Sequence, residues 1–339
     1  MLFRSVRVIP LVAVLISGAF IAILSQTLLS TALPPIMKDL HLSANTAQWL
    51  TSAVLLTVGI MVPITAFLIG KFTTRQLFLA AMGSFACGTL LSAMAPNFEL
   101  LLTGRIFQAA GAGVMIPLMQ TVLFVIFPPE KRGTIMGIFG LIITLAPAVG
   151  PTIAGWVVDH YSWRILFWMI VPISVLDLFC AYLFLRNITE RTDPKVDAAS
   201  LLLSSVGFGG VLYGFSAAGS IGWTGDRVLF AMFIGAVSLA LFIRRQFRLA
   251  RPILEFRVFR YGTFAISTGI LMIVYMHMIG GSTILPIYMQ DMLGFSATDS
   301  GLMLLPGALV MGAMSFVSGR LFDKLGASGA RWLAIAGRI

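Results

Sequence analysis

The 339 residues are 58% apolar and only 11% charged, with a formal net charge of +10. A soluble domain carries about 25% charged residues, so this chain lacks the polar surface to cover a water-soluble fold. Its basic excess would point to nucleic acid in a soluble protein; here its placement along the chain points to membrane topology, and no nucleic-acid partner is expected.

The sequence is punctuated by long charge-free runs, among them Val8 to Met37, Leu40 to Gly70 and Tyr261 to Gln290. Each exceeds the ~20 residues that carry a helix across the hydrocarbon of a bilayer. Only helices and closed barrels satisfy their backbone in lipid, and the runs lack the two-residue alternation of barrel strands. The expected fold is therefore an all-α, polytopic transmembrane bundle. The predicted spans, in chain order, are 8–33, 48–70, 76–95, 100–127, 133–158, 165–186, 199–220, 227–244, 262–288 and 300–320, with an eleventh beginning near Arg331. The basic start Met1 to Arg7 resembles a secretory leader, but the run behind it is about twice a leader's apolar length and has no clean cleavage site, so it reads as a retained first span. Cys87 and Cys180 fall inside spans and form no disulfide or metal pattern, and no cofactor is implied.

Orientation follows from the basic residues. With the N-terminus in the cytoplasm, Arg4, Arg7, Lys71, Arg75, Lys131, Arg132, Arg186, Arg191, Lys195, Arg244, Arg245, Arg248, Arg251, Arg257, Arg260, Arg320, Lys324 and Arg331 lie inside. Only Lys38, Arg164 and Arg227 lie outside, eighteen against three. Basic loops resist translocation, which fixes this orientation in a plasma (inner) membrane. The stretch Arg244 to Arg260 is a topology determinant beside anionic lipid.

An internal repeat divides the chain. ALPPIMKDLHLSA (Ala32 to Ala44) returns as ILPIYMQDMLGFSA (Ile284 to Ala297), and FLIGKFTTR (Phe67 to Arg75) lies opposite GRLFDKLGA (Gly319 to Ala327). Span nine thus repeats span one, and parallel repeats mark two halves related by an axis along the membrane normal. The expected division is 1–198 as a six-span half, 199–250 as a two-span central insertion and 251–339 as an incomplete second half. On that reading the chain is C-terminally truncated.

The motifs resemble the major facilitator superfamily, and within it the fourteen-span drug/proton antiporter branch that includes lincomycin-resistance-like exporters. In span four, RIFQAAGAGVMIP matches the pattern Arg-x-x-Gln-x-x-Gly-x-Gly through Arg105, Gln108, Gly111 and Gly113. An arginine in hydrocarbon must be paired or face water; Arg105 is either a functional group or one bonded to backbone carbonyls for structure alone. In span five, GLIITLAPAVGPTIAGW resembles the antiporter signature through Gly140, Ala146, Pro147, Gly150, Pro151 and Gly155. In the family this motif accompanies export, and the two prolines are expected to bend the helix. Gly319, Arg320, Asp323, Lys324 and Gly326 resemble the superfamily's cytoplasmic gating loop, a carboxylate expected beside cations. The first-half counterpart departs from the pattern, with Gly70 in the aspartate's place and Thr73 in the glycine's.

Span one departs as well. LSQTLLSTALP (Leu24 to Pro34) fits the branch motif, with Ser25 and Gln26 facing the expected cavity, but Ser25 stands where many members have an aspartate. A hydroxyl does not titrate near neutral pH, so proton coupling would need another group. Asp177, the carboxylate well inside a predicted span, is one candidate; its other reading is a structural acid. His277 is a second, titrating without large tuning, although a lone histidine in such a span is more often a packed residue.

The resemblance implies a secondary active transporter, proton-coupled and exporting lipophilic small molecules by alternating access. Its partners would be substrate, protons, membrane lipid and accessory envelope efflux proteins. An uptake carrier of the same superfamily and a non-transporting fragment are the alternatives. The chain holds no Gly-Lys-Ser/Thr nucleotide loop, no zinc-type His-Glu helix and no nucleophile elbow, which argues against an enzyme or an ATP-driven pump.

Overall fold

A computed structural model describes residues 8–188, 197–250 and 252–336. Arg4, Arg7, Arg191, Lys195, Arg251 and Arg338 lie outside the described residues. Those residues form ten long α-helices and no strands: α1 (Val8–Asp39), α2 (Ala44–Lys71), α3 (Thr74–Ala93), α4 (Phe98–Ile126), α5 (Arg132–His160), α6 (Arg164–Phe184), α7 (Ala198–Ile221), α8 (Asp226–Arg248), α9 (Gly262–Ile287) and α10 (Ala297–Ala336). All ten contain a segment long and apolar enough to cross a membrane.

Short polar connections set the helix starts. Ser43 accepts the Thr46 N–H at the head of α2, and Asn97 accepts that of Leu100 at the head of α4. Thr73 and Gln76 form a reciprocal capping box on α3. Each supplies an acceptor for a first-turn N–H that has no partner within its own helix. From α1 to α6 only a few residues separate one helix from the next, so successive helices there run antiparallel.

Two boundaries differ from the expectation. α1 runs to Asp39 with Pro34 and Pro35 inside it, rather than ending at 33. Its last turns hold because Ile36 is fully buried and Asp39 is gripped by Trp163 and Arg164 at the head of α6, at 3.0 and 2.7 Å. Likewise 319–327 is not a loop. α10 continues helically through Asp323 and Lys324 and breaks only at Gly326, whose φ of 55° and ψ of −137° suit a residue without a Cβ.

α1 is the most central helix, packed against α4, α5 and α6. α3 joins α4 and α6, while α2 joins α4 and, through Trp49 against Tyr213, α7. α7 and α8 form a pair at the edge, tied where Arg245 binds the α7 cap Asp197 at 2.8 Å. The bonds from Arg245, with those from Ser200, hold the Asp197 carboxyl down at about 2. This depressed value contributes stability above the ordinary carboxylate range, lost as pH falls toward 2. α10 lies along α5, and α9 leans lightly on α10 with most of its surface open.

Without a hydrophobic drive between helices in lipid, close approach of backbones becomes the main packing device. Gly88 of α3 and Gly104 of α4 face each other so tightly that a Cβ on Gly88 would stand 2.5 Å from the Gly104 carbonyl oxygen. Gly83, on the same helix, has open space where its Cβ would be. Gly88→Ala is therefore expected to destabilise by about 1–3 kcal/mol through overpacking, and Gly83→Ala to leave stability unchanged or raise it by up to about 1 kcal/mol. Denaturation in detergent micelles checks the sign of each; equal effects would contradict the packing described.

Candidate functional site

Arg105 and Gln108 stand one turn apart on the same face of α4. Both are 2% exposed. The Arg105 Nη1 donates to Gln108 Oε1 at 2.8 Å and, at 3.5 Å, to the Ser25 carbonyl of α1. The Gln108 Nε2 donates to the Ser25 Oγ at 3.2 Å and to Thr89 Oγ1 of α3 at 2.8 Å. One amide thus joins three helices around a buried guanidinium. The Arg105 Nε has no partner, and no ion pair among the described residues includes Arg105. Half-buried Gln26 lies beside the cluster with Val54 and Phe85, and no substrate-sized space remains there.

Asp177 of α6 is placed elsewhere. It is 94% buried, accepts the Ser17 Oγ–H of α1 at 2.5 Å through Oδ1, and keeps Oδ2 buried without a partner. A Cβ on Gly18 would stand 2.7 Å from the Phe78 ring and 3.1 Å from that oxygen, so glycine makes room for both. Ser17 and Ser25 are eight residues apart, about 12 Å along α1. Arg105 of α4 and Asp177 of α6 therefore meet α1 at two separate levels and form no ion pair. His277 is exposed on α9 and joins neither.

The span-five motif lies in a seam. Gly140 of α5 faces Ser315 of α10, and Gly301 of α10 approaches the Pro151–Thr152 backbone. Gly150 faces Thr27 of α1, whose Oγ1 donates to the Ala146 carbonyl at 3.3 Å. Pro147 and Pro151 lie inside one continuous helix, and Gly155 is buried beyond them. At one end of the seam Gly133 packs on Gly319, and there the α5 amides find their acceptor. Lys131, in the cap position of α5, has no side-chain acceptor to offer. Asp323 of α10 does so in its place, taking the Gly133 N–H at 2.8 Å and the Thr134 N–H at 2.6 Å. A carboxylate on a helix N-terminus is favoured by both the orphan donors and the helix dipole. At the other end Thr298 of α10 donates to Asp159 of α5 at 2.8 Å.

The gating residues thus differ from the expected acid beside cations. Arg320 lies over the Phe316 ring at 4.3 Å, Lys324 is exposed, and Asp323 binds backbone amides instead. Sequence reasoning missed Ser17, Thr89, Asp159 and Thr298. Ser17 and Thr89 share a signal, a small hydroxyl inside an apolar span, which only gains meaning once a buried partner is known.

Ten helices among the described residues, each with a segment long and apolar enough to cross a membrane, define a multi-pass membrane protein. Residues 15–339 match the Major Facilitator Superfamily, and the chain belongs to that family. It is 54% identical to the uncharacterised MFS-type transporter YcnB of Bacillus subtilis over 327 residues, covering 96% of this chain and 69% of that protein. It is 43% identical to the lincomycin resistance protein LmrB of the same organism over 333 residues, covering 98% and 69%. A peptide transporter POT crystallised with sulfate shares the fold at a TM-score of 0.64 and 17% identity, covering 93% of this chain and 68% of that one. Family membership places the chain among non-enzymatic transporters.

The Gln108 hub makes a graded prediction. Gln108→Leu strips Arg105 of its side-chain acceptor and is expected to destabilise by about 1–3 kcal/mol or more. Thr89→Val removes one neutral bond and is expected to cost about 1 kcal/mol. Detergent unfolding curves that ranked the two equally would contradict the hub role.

Proposed function

We propose that the chain belongs to a secondary active exporter that moves lipophilic small molecules, drugs among them, out of the cell in exchange for protons. Residues 1–198 form one half and 251–339 part of the other, with 199–250 inserted between them and the N-terminus in the cytoplasm of an inner-membrane protein. Substrate, protons and surrounding lipid are its partners, and accessory envelope efflux proteins would receive its substrate.

The observation that carries this reading is the α5–α10 seam. Small residues let two helices from different halves touch, and a polar tie closes each end: Asp323 on the α5 amides, Asp159 on Thr298. Two hydrogen bonds at one end and one at the other are strong enough to hold a closed mouth and weak enough to exchange with water. One end can open while the other stays tied, which is the requirement of alternating access. Relatives named for lincomycin resistance and multidrug transport support export as the direction.

Asp177 supports proton coupling, since it is a buried titratable group with an oxygen left over, in a chain whose span-one position holds Ser25. Arg105 holds the fixed positive charge that any arriving proton or cation must contend with.

In vesicles bearing the chain, an imposed proton gradient is expected to drive ethidium movement. Asp177→Asn should lower that movement about 100-fold or more while leaving insertion intact, because a group that protonates during the cycle is lost. Arg105→Lys keeps a charge without the planar fork and should lower it about tenfold. Ser25→Asp should restore part of the activity of Asp177→Asn. Full activity in Asp177→Asn would remove that residue from coupling, and ethidium entry into cells that rose with expression would reverse the direction proposed.

A further inference from the structure

The repeat sets 199–250 between two halves, and the packing says which half the insertion travels with. α7 lies along α2. The Trp49 and Tyr213 rings meet at 5.6 Å, a Cβ on Gly59 would stand 2.5 Å from the Leu212 side chain, and one on Gly209 would touch Ile60 at 3.4 Å. α8 is bound to α7 in turn. A Cβ on Gly210 would meet the Ala231 carbonyl oxygen at 2.7 Å, and one on Gly235 the Val211 nitrogen at 2.6 Å. Helices packed backbone to backbone transmit displacement rather than absorb it. The chain leaving α6 is fixed to the same half: Arg75 of α3 donates to the Tyr182 carbonyl at 2.7 Å and lies over the Tyr182 ring, and the Ile188 N–H reaches the Thr74 hydroxyl.

Where α7 begins and α8 ends, a polar clasp adds the next stretch of chain, the strap 252–260. Beside the Arg245–Asp197 pair lies Gln246, 1% exposed. Its Nε2 donates to the Ser200 Oγ of α7 at 2.8 Å, and its Oε1 accepts the Ile253 N–H of the strap at 2.7 Å. One buried amide thus ties α7, α8 and the strap. Further along, Arg257 donates to the Phe247 carbonyl of α8 at 3.0 Å, and the Phe256 ring meets that of Phe242 edge-on at 5.9 Å. The hold stops at α9. Its cap residue Tyr261 supplies no side-chain bond, its first residue Gly262 has open space where a Cβ would be, and beyond the strap α9 packs on α10 and the turn joining the two. A glycine at an uncapped helix start is where the backbone turns at least cost.

We infer that α7, α8 and the strap travel with the first half as one body, that the second half swings about the Tyr261–Gly262 joint, and that Gln246 is the residue that fixes the strap to that body. The central pair is then no hinge between the halves. The inference rests on the two-half exporter reading for the movement itself, and on the contacts above for which helices share it.

Three spin-label pairs at one end of the bundle test it in lipid vesicles, in a chain lacking Cys87 and Cys180. Lys71 with Arg248 spans α2 to α8, Arg248 with Lys324 spans α8 to α10, and Lys131 with Lys324 reports the seam. Asp323→Ala, or a shift of pH, is expected to change the second distance together with the third and to leave the first unchanged. Gln246→Leu leaves the helix contacts in place but should cut the amide-exchange protection of Ile253 and Leu254 about tenfold. A first distance that changes with the seam, or a second that stays fixed while the seam opens, would overturn the inference. So would protection at Ile253 that Gln246→Leu leaves untouched, and so would three distances that never change, since bodies that do not part have no joint. The predicted pattern of distances without proton-driven ethidium movement would leave the joint standing and sink the exporter reading; ethidium movement with a varying first distance would do the reverse.

Discussion

The constraint on which the rest depends is the shortage of hydrogen-bond partners inside hydrocarbon. Water cannot satisfy a buried polar group there, so a group that its own helix backbone does not satisfy must find its partner in another helix. α1 supplies those partners. Ser17 serves Asp177 of α6, Ser25 serves Gln108 and Arg105 of α4, and Thr27 reaches the Ala146 carbonyl of α5. The three contacts rise along one helix and explain why it sits among its neighbours rather than at the edge. Gln108 extends the arrangement to α3 through Thr89. A single amide therefore fixes the relative placement of three helices, and the glycines between them set how near they come.

The same economy shapes the seam. α5 begins with a lysine where a capping acceptor is usual, and its first amides would be orphaned without α10. Asp323 completes α5 from outside, so the first turn of the helix is fully satisfied only while the two helices are docked. Undocking exposes those amides at the membrane surface, where water can replace the carboxylate. That makes the contact reversible, in a way a buried apolar contact of equal area would not be. Cation–ring stacking keeps Arg320 on Phe316, away from the acid.

Much of this was legible in the sequence, for reasons that also mark its limits. Hydropathy finds spans because lipid imposes one composition on all of them, and the ten helices stand where the apolar runs predict. The predicted first span ends at 33, however, whereas burial of Ile36 and the grip on Asp39 carry α1 onward through Pro34 and Pro35. The repeat motif 319–327 reads as a loop from its resemblance to the superfamily's gating loop, yet only Gly326 leaves helical geometry. Arg105, Gln108 and Asp177 stood out because ionisable or amide groups in a span need a reason. Their partners Ser17 and Thr89 did not, since a hydroxyl in a span commonly bonds its own backbone. His277 stood out by the same logic and lies on the open face of α9. Pairing is a property of three dimensions, and composition carries no trace of it.

The central claim is that the α5–α10 seam opens one end at a time. It is tested most directly by spin-label distances across both ends in vesicles, one pair replacing Lys131 and Lys324, the other Tyr161 and Phe295, in a chain lacking its native cysteines. Shifting pH or adding a transported drug is expected to lengthen one distance while the other stays short. Asp323→Ala should populate the long inner distance without either stimulus. Two distances that stayed fixed under every condition, or that lengthened together, would contradict the account.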